Sequence, residues 1–248
     1  MAGAPRDPAR TGGAILLGVL VLAGYAASLP ALLGVWGAGF ARARGWLDLR
    51  VMLGEQEVGL PGGAFLRVPE LAAVTPQPTD PVLLTATAIS LLVLAGTFLL
   101  PDRLAPLRSF FRLLVVVQAS AILFFAASPE PFPYRLSDYL FGLMATGLVA
   151  MGMVPMVLAL TLYHLDLVWW RKLAVTGFLL GHFAVLTPLL VLLHASAILH
   201  GTAILIPVLF VGFGVLPFAL VFLGGYGWAM SGASEPERRR VPAPIHSA

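Results

Sequence analysis

The chain has 248 residues, of which 59% are hydrophobic and only 11% charged, and its mean hydropathy is +0.92. Soluble domains carry about 25% charged residues, so a water-facing fold is excluded. Cysteine is absent, which rules out disulfide frameworks, thiolate metal sites, iron–sulfur clusters, thiol nucleophiles and covalent c-type haem. The net charge of +3 and pI of about 9.7 reflect arginines beside apolar runs, a topology signal with no nucleic-acid partner implied.

A helix needs about 20 mainly apolar residues to cross roughly 30 Å of hydrocarbon. Six stretches meet that requirement and predict an all-α integral membrane protein, a bundle of about six transmembrane helices over 14–230. A short head, 1–13, precedes the first span at 14–40. The basic head and the small residues Ala23, Ala26, Ala27 and Ser28 also suit a signal peptide. Signal h-regions extend over only about 7–15 residues, however, and this run is longer, so a retained signal-anchor helix is expected. The later spans fall at 81–100, 108–128, 139–163, 173–193 and 202–230, and the Pro-, Glu- and Arg-rich tail 231–248 is expected to be disordered.

Cytoplasmic flanks keep positive charge. Ten of the 15 Lys and Arg residues fall on one side (Arg6, Arg10, Arg103, Arg108, Arg112, Arg171, Lys172, Arg238, Arg239, Arg240) and five on the other (Arg42, Arg44, Arg50, Arg67, Arg135). Both termini are therefore expected in the cytoplasm of a cell whose inner membrane holds the chain, with loop 41–80 and connection 129–138 outside. In that roughly 40-residue loop, Leu47, Leu49, Val51 and Leu53 alternate with Asp48, Arg50 and Met52, the period of a half-buried strand. With Pro61-Gly62-Gly63 and the run 64–68 this suits a small surface hairpin; an irregular cap with an interfacial helix near Trp46 is the alternative.

Polar groups inside spans are costly and mark function more often than polar groups of soluble cores. His182 stands near the middle of the fifth span, after the G-x-x-x-G pair Gly177 and Gly181, which suits close helix packing. It is either a proton-path, ligand or substrate group or a neutral imidazole bonded across a helix contact. Arg108 and Arg112, one turn apart, either snorkel to the headgroups or form a cationic pocket for lipid phosphate or an anion. Gln118 lies deeper on the same span with amide chemistry to offer. His194 and His200 flank the expected exterior turn and form a possible two-histidine site there, although without a carboxylate or thiol they make a poor zinc site. Arg135 and Asp138 read as a helix-start pair at the fourth span. Haem between two histidines is disfavoured, because spans one to four contain no histidine.

No P-loop, H-E-x-x-H or G-x-S-x-G motif occurs, and Glu55, Glu57, Glu70, Glu130, Glu235 and Glu237 all lie outside the spans. No catalytic residue, metal site or cofactor is predicted. Three functions remain: a non-catalytic subunit or assembly factor of a larger membrane complex, bound to a membrane protein or to its own copies; a small permease or lipid- or anion-handling transporter using His182, Gln118, Arg108 and Arg112; and a redox protein using His182 or His194 and His200. The second requires His182 and Gln118 to face one cavity. The first requires a packed interior and an uncovered outer face.

Overall fold

The computed structural model describes residues 8–59, 65–128, 135–161 and 169–231. The predictions on Arg6, on the loop tip Pro61-Gly62-Gly63, on residues 129–134 and 162–168, and on the tail beyond Ser231 lie outside the described residues.

Among the described residues, six helical stretches are long and apolar enough to cross a membrane. Helix α1 is Pro8–Trp46, α2 Asp80–Thr97, α3 Ala105–Ala127, α4 Leu136–Leu160 and α5 Trp169–His200. The last stretch is segmented. A 3-10 turn, Ala203–Leu205, leads into a single α-helical turn, α6 Ile206–Leu209, then a π segment Phe210–Val215, and then α7 Leu216–Ser231. Pro217 explains the change of pitch, because it has no N–H to give the Phe213 carbonyl, which in an α-helix would accept it.

Helix α5 continues through the turn expected at 194–201. The stretch from His194 to His200 holds no glycine or proline, and its Ala195 and Ile198 are buried, so the helix stops only at Gly201. The connection to α6 therefore shrinks to two residues before the 3-10 turn, and Ala203 N–H is bonded to the Pro76 carbonyl at 2.9 Å.

The loop after α1 folds as an antiparallel hairpin, β1 Met52–Gly59 with β2 Phe65–Ala72, in a register that sets Glu55 opposite Pro69 and Glu57 opposite Arg67. The first strand begins later than the alternation at 47–53 predicted. The cause is the way α1 ends. Leu49 N–H reaches back to the Arg44 carbonyl at 3.0 Å, and Asp48 takes a left-handed φ of 47°. This is a Schellman cap with aspartate where glycine is usual, and it consumes 47–49 before pairing starts. Arg67 meets Glu57 at 3.4 Å and Glu55 at 3.9 Å across the ladder.

The described residues fall into two compact units, one drawn from Pro30–Thr146 and Thr187–Pro217, the other from Met1–Leu29, Gly147–Leu186 and Phe218–Ala248. In the first, the hairpin packs on the second half of α1. Val68 and Leu71 are buried with Trp36, Phe40, Leu140, Met144 and Val191. In the second, Val154, Leu158, Val175, Leu179, Phe183 and Phe218 make the core, with Phe183 and Phe218 edge-on at 5.5 Å.

Between apolar helices in lipid the hydrophobic effect supplies no net attraction, so close packing and interhelical hydrogen bonds decide stability. Glycines make that approach possible. A Cβ on Gly18 would stand 2.7 Å from the Ala159 Cβ, and one on Gly225 would stand 2.7 Å from Leu179 Cδ2. In the same unit the Tyr25 hydroxyl donates to the Leu148 carbonyl at 2.8 Å, satisfying a polar group within a span.

Candidate functional site

Helices α2 and α3 lie antiparallel, joined by the short stretch around Pro101. Thr79 and Pro81 start α2, and Pro106 starts α3, in first-turn positions where proline's missing N–H has no helical partner to lose. Where these helices meet the α5–α6 turn they enclose a partly open cavity of about 560 Å³. That is within the range of about 300–1,000 Å³ usual for small-molecule sites. Most of its wall is apolar, with Ile89, Val93, Leu114, Val115, Leu205 and Val208 among the contributors.

The polar side chains of the wall differ in how they are satisfied. Thr85 and Ser90 donate to carbonyls of their own helix, those of Pro81 and Ala86, at 2.8 and 2.7 Å. Gln118 is buried, and its Nε2 donates to the Ile204 carbonyl at 3.2 Å. Its Oε1 has no hydrogen-bond partner among the described residues, and neither has the buried Thr202 Oγ1. His200 stands exposed at the rim with Nδ1 2.9 Å from the Ser196 carbonyl. A carbonyl only accepts, so Nδ1 carries the proton and Nε2 of the neutral ring is an acceptor.

A second polar group is internal. His194 is fully buried and shares a 2.6 Å hydrogen bond between Nδ1 and the Tyr139 hydroxyl. The two rings stack at 5.8 Å, and Tyr139 also meets Phe210 of the π segment. The imidazole Nε2 reaches no partner at hydrogen-bond geometry among the described residues. The arrangement fits the tautomer in which Nε2 carries the proton and Tyr139 donates to Nδ1. His194 and His200 are thus not a facing pair. They occupy one helix in different surroundings, one sealed and one at a rim.

Of the residues expected along a path, Gln118 lines the cavity, whereas Arg108 and Arg112 of the same unit do not. Arg108 is paired with Asp102 at 3.3 Å. Arg112 donates from Nε to Thr97 Oγ1 at 3.2 Å and lies 4.7 Å from the centre of the Phe98 ring, so both guanidinium groups hold the α2–α3 connection. His182 is exposed on α5, in ring contact with Phe178 at 6.0 Å and with no hydrogen bond among the described residues. Gly177 and Gly181 are exposed too, and a Cβ on either would meet nothing within 4 Å. Arg135 and Asp138 are exposed and not ion-paired to each other, and the α4 start is held instead by Leu136 N–H donating to Thr75 Oγ1 at 3.1 Å.

Sequence reasoning passed over Tyr139 as a functional partner, and used Thr202 only as the start of the sixth span. A tyrosine at a span start and a threonine directly after Gly201 were the available signals. The six apolar helices define the class, a membrane protein. The chain matches no family model, and neither the curated proteins nor the solved structures include a match to it.

Proposed function

We propose that this chain is a non-catalytic subunit or assembly factor of a larger membrane complex, held in the inner membrane with both termini cytoplasmic. The observation that carries the reading is the bare face of α5. Leu173, Ala174, Gly177, Phe178, Gly181, His182 and Val185 recur at helical spacing and are all exposed. Against hydrocarbon, an imidazole without a partner costs about 2–7 kcal/mol on transfer scales. A helix of another protein or of a second copy, seated on the two glycines, relieves that cost by supplying a hydrogen-bond partner.

The test is gentle extraction of the tagged full chain from its native membrane, followed by mass spectrometry of whatever accompanies it. A stoichiometric partner is expected, and Gly181→Leu, which has room within the chain itself, should release it without lowering the chain's own melting temperature. A chain that emerges alone and monomeric overturns the proposal. Reporter fusions at Gln56 and at the C-terminus test the orientation, and an exterior C-terminus contradicts it.

A further inference from the structure

The α2–α3 cavity is built from different residues and supports a conclusion of its own. Its wall is overwhelmingly apolar, and all of its lining residues except Gly201 and Thr202 belong to candidate membrane spans, which favours an occupant from the lipid phase. Neither Arg108 nor Arg112 lines it, and both are engaged elsewhere. With no cation in the wall, a carboxylate or phosphate head would be desolvated without compensation, which excludes fatty acids and phospholipid headgroups.

The unsatisfied atoms then specify the head. Gln118 Oε1 accepts only, the Thr202 hydroxyl does both, and at the exposed rim His200 Nε2 accepts in the tautomer that donates from Nδ1. A ligand that offers only acceptors, such as an ester or a ketone, finds the Thr202 hydroxyl and at most the second Nε2–H of Gln118, and leaves Gln118 Oε1 unpaired. A ligand with hydroxyl groups satisfies all three. We propose that this cavity binds a neutral single-chain lipid whose head donates hydrogen bonds, a hydroxyl-bearing amphiphile of the monoacylglycerol or long-chain-alcohol class. The chain lies along Ile89, Leu114 and Val208 while the hydroxyls face Gln118, Thr202 and His200. Gln118 and Thr202 are packed into the wall, and a rotation of the Thr202 side chain and a small displacement of the Gln118 amide bring their oxygens to the head.

The purified full chain in detergent is titrated with monooleoylglycerol and, separately, with methyl oleate, and retained lipid is read by native mass spectrometry. The two probes share the chain and differ in the donors of the head. Monooleoylglycerol should bind about ten-fold more tightly, the effect of one or two net hydrogen bonds. Gln118→Leu, close in volume but without the acceptor, should bring the two lipids to within about two-fold of each other. Ala86→Trp, which fills the cavity, should abolish retention of both. Equal binding of the two lipids by the unmodified chain overturns the proposal, and so does full retention by a folded Ala86→Trp variant. The comparison of lipids on the unmodified chain needs no substitution, so it decides even where a variant fails to fold. It is also independent of whether a partner covers α5.

Discussion

Replacing Tyr139 by phenylalanine removes one oxygen and leaves the ring that stacks on His194. The loss exposes a buried imbalance, because His194 is fully buried and its Nδ1 has the Tyr139 hydroxyl as its partner at 2.6 Å. An isolated hydrogen bond contributes about 0.5–1.5 kcal/mol net, whereas stranding a buried acceptor costs about 1–3 kcal/mol. Interhelical bonds within bilayers average only about 0.6 kcal/mol, with a maximum near 1.7, because the dispersed helices find other partners. Tyr139 is half-buried while His194 is sealed, so the expected loss lies toward the top of that membrane range, about 1.5 kcal/mol. His194→Leu removes the stranded group as well, and in combination with Tyr139→Phe it should cost less than the sum of the two single changes by about 1 kcal/mol. The assay is reversible unfolding of the full chain in mixed micelles across the four-member cycle. A Tyr139→Phe loss below about 0.3 kcal/mol, or a coupling indistinguishable from zero, would refute the reasoning that this pair holds α4 to α5.

Further outcomes are expected from other sites. Gly18→Val should destabilise the chain by about 1–3 kcal/mol through overpacking, since even a Cβ there falls 2.7 Å from the Ala159 Cβ, while Gly24→Ala, with nothing within 4 Å, should be neutral or slightly stabilising. Melting temperatures in one detergent distinguish them, and equal values contradict the assigned contact. Asp48→Gly should raise stability by about 0.5 kcal/mol, from relief of left-handed strain of roughly 1 kcal/mol less about 0.5 kcal/mol of added unfolded-chain entropy; Asp48→Val should lower it, and the opposite order would remove the Schellman assignment. Arg112→Ala should loosen the α2–α3 connection by about 0.5–1 kcal/mol, measured as faster proteolysis near Pro101, and an unchanged cleavage rate would show that its bond to Thr97 is unimportant.

The spans were legible because hydrocarbon demands a length and a composition that few other environments require. Their ends were less so. His194 falls in the expected turn, but a histidine whose Nδ1 is bonded to a tyrosine on another helix interrupts nothing, and that tyrosine is 55 residues away. The hairpin was legible as a possibility from alternation and the Pro-Gly-Gly signal, whereas its register depends on the cap at Asp48, which carries no glycine to announce it. Gln118 could be singled out as a polar group in a span, but the cavity around it forms only where α2, α3 and the 3-10 turn converge, and no single segment shows that. Arg108 and Arg112 stand one turn apart in the sequence, but their partners Asp102, Thr97 and Phe98 lie on elements whose placement that spacing does not give.

The hairpin has a consequence for what can associate with the loop. A two-stranded ladder leaves an outer edge on each strand, and free edges invite further strands and so aggregation. Here Pro69 removes a donor in the middle of β2. Opposite it, β1 carries Glu55 and Glu57 beside Arg67, all largely exposed. Growth of the sheet by strand addition is discouraged on both sides, so a protein that meets this loop reads a pattern of charge on a fixed surface, and the loop can face a crowded compartment without templating its own precipitation.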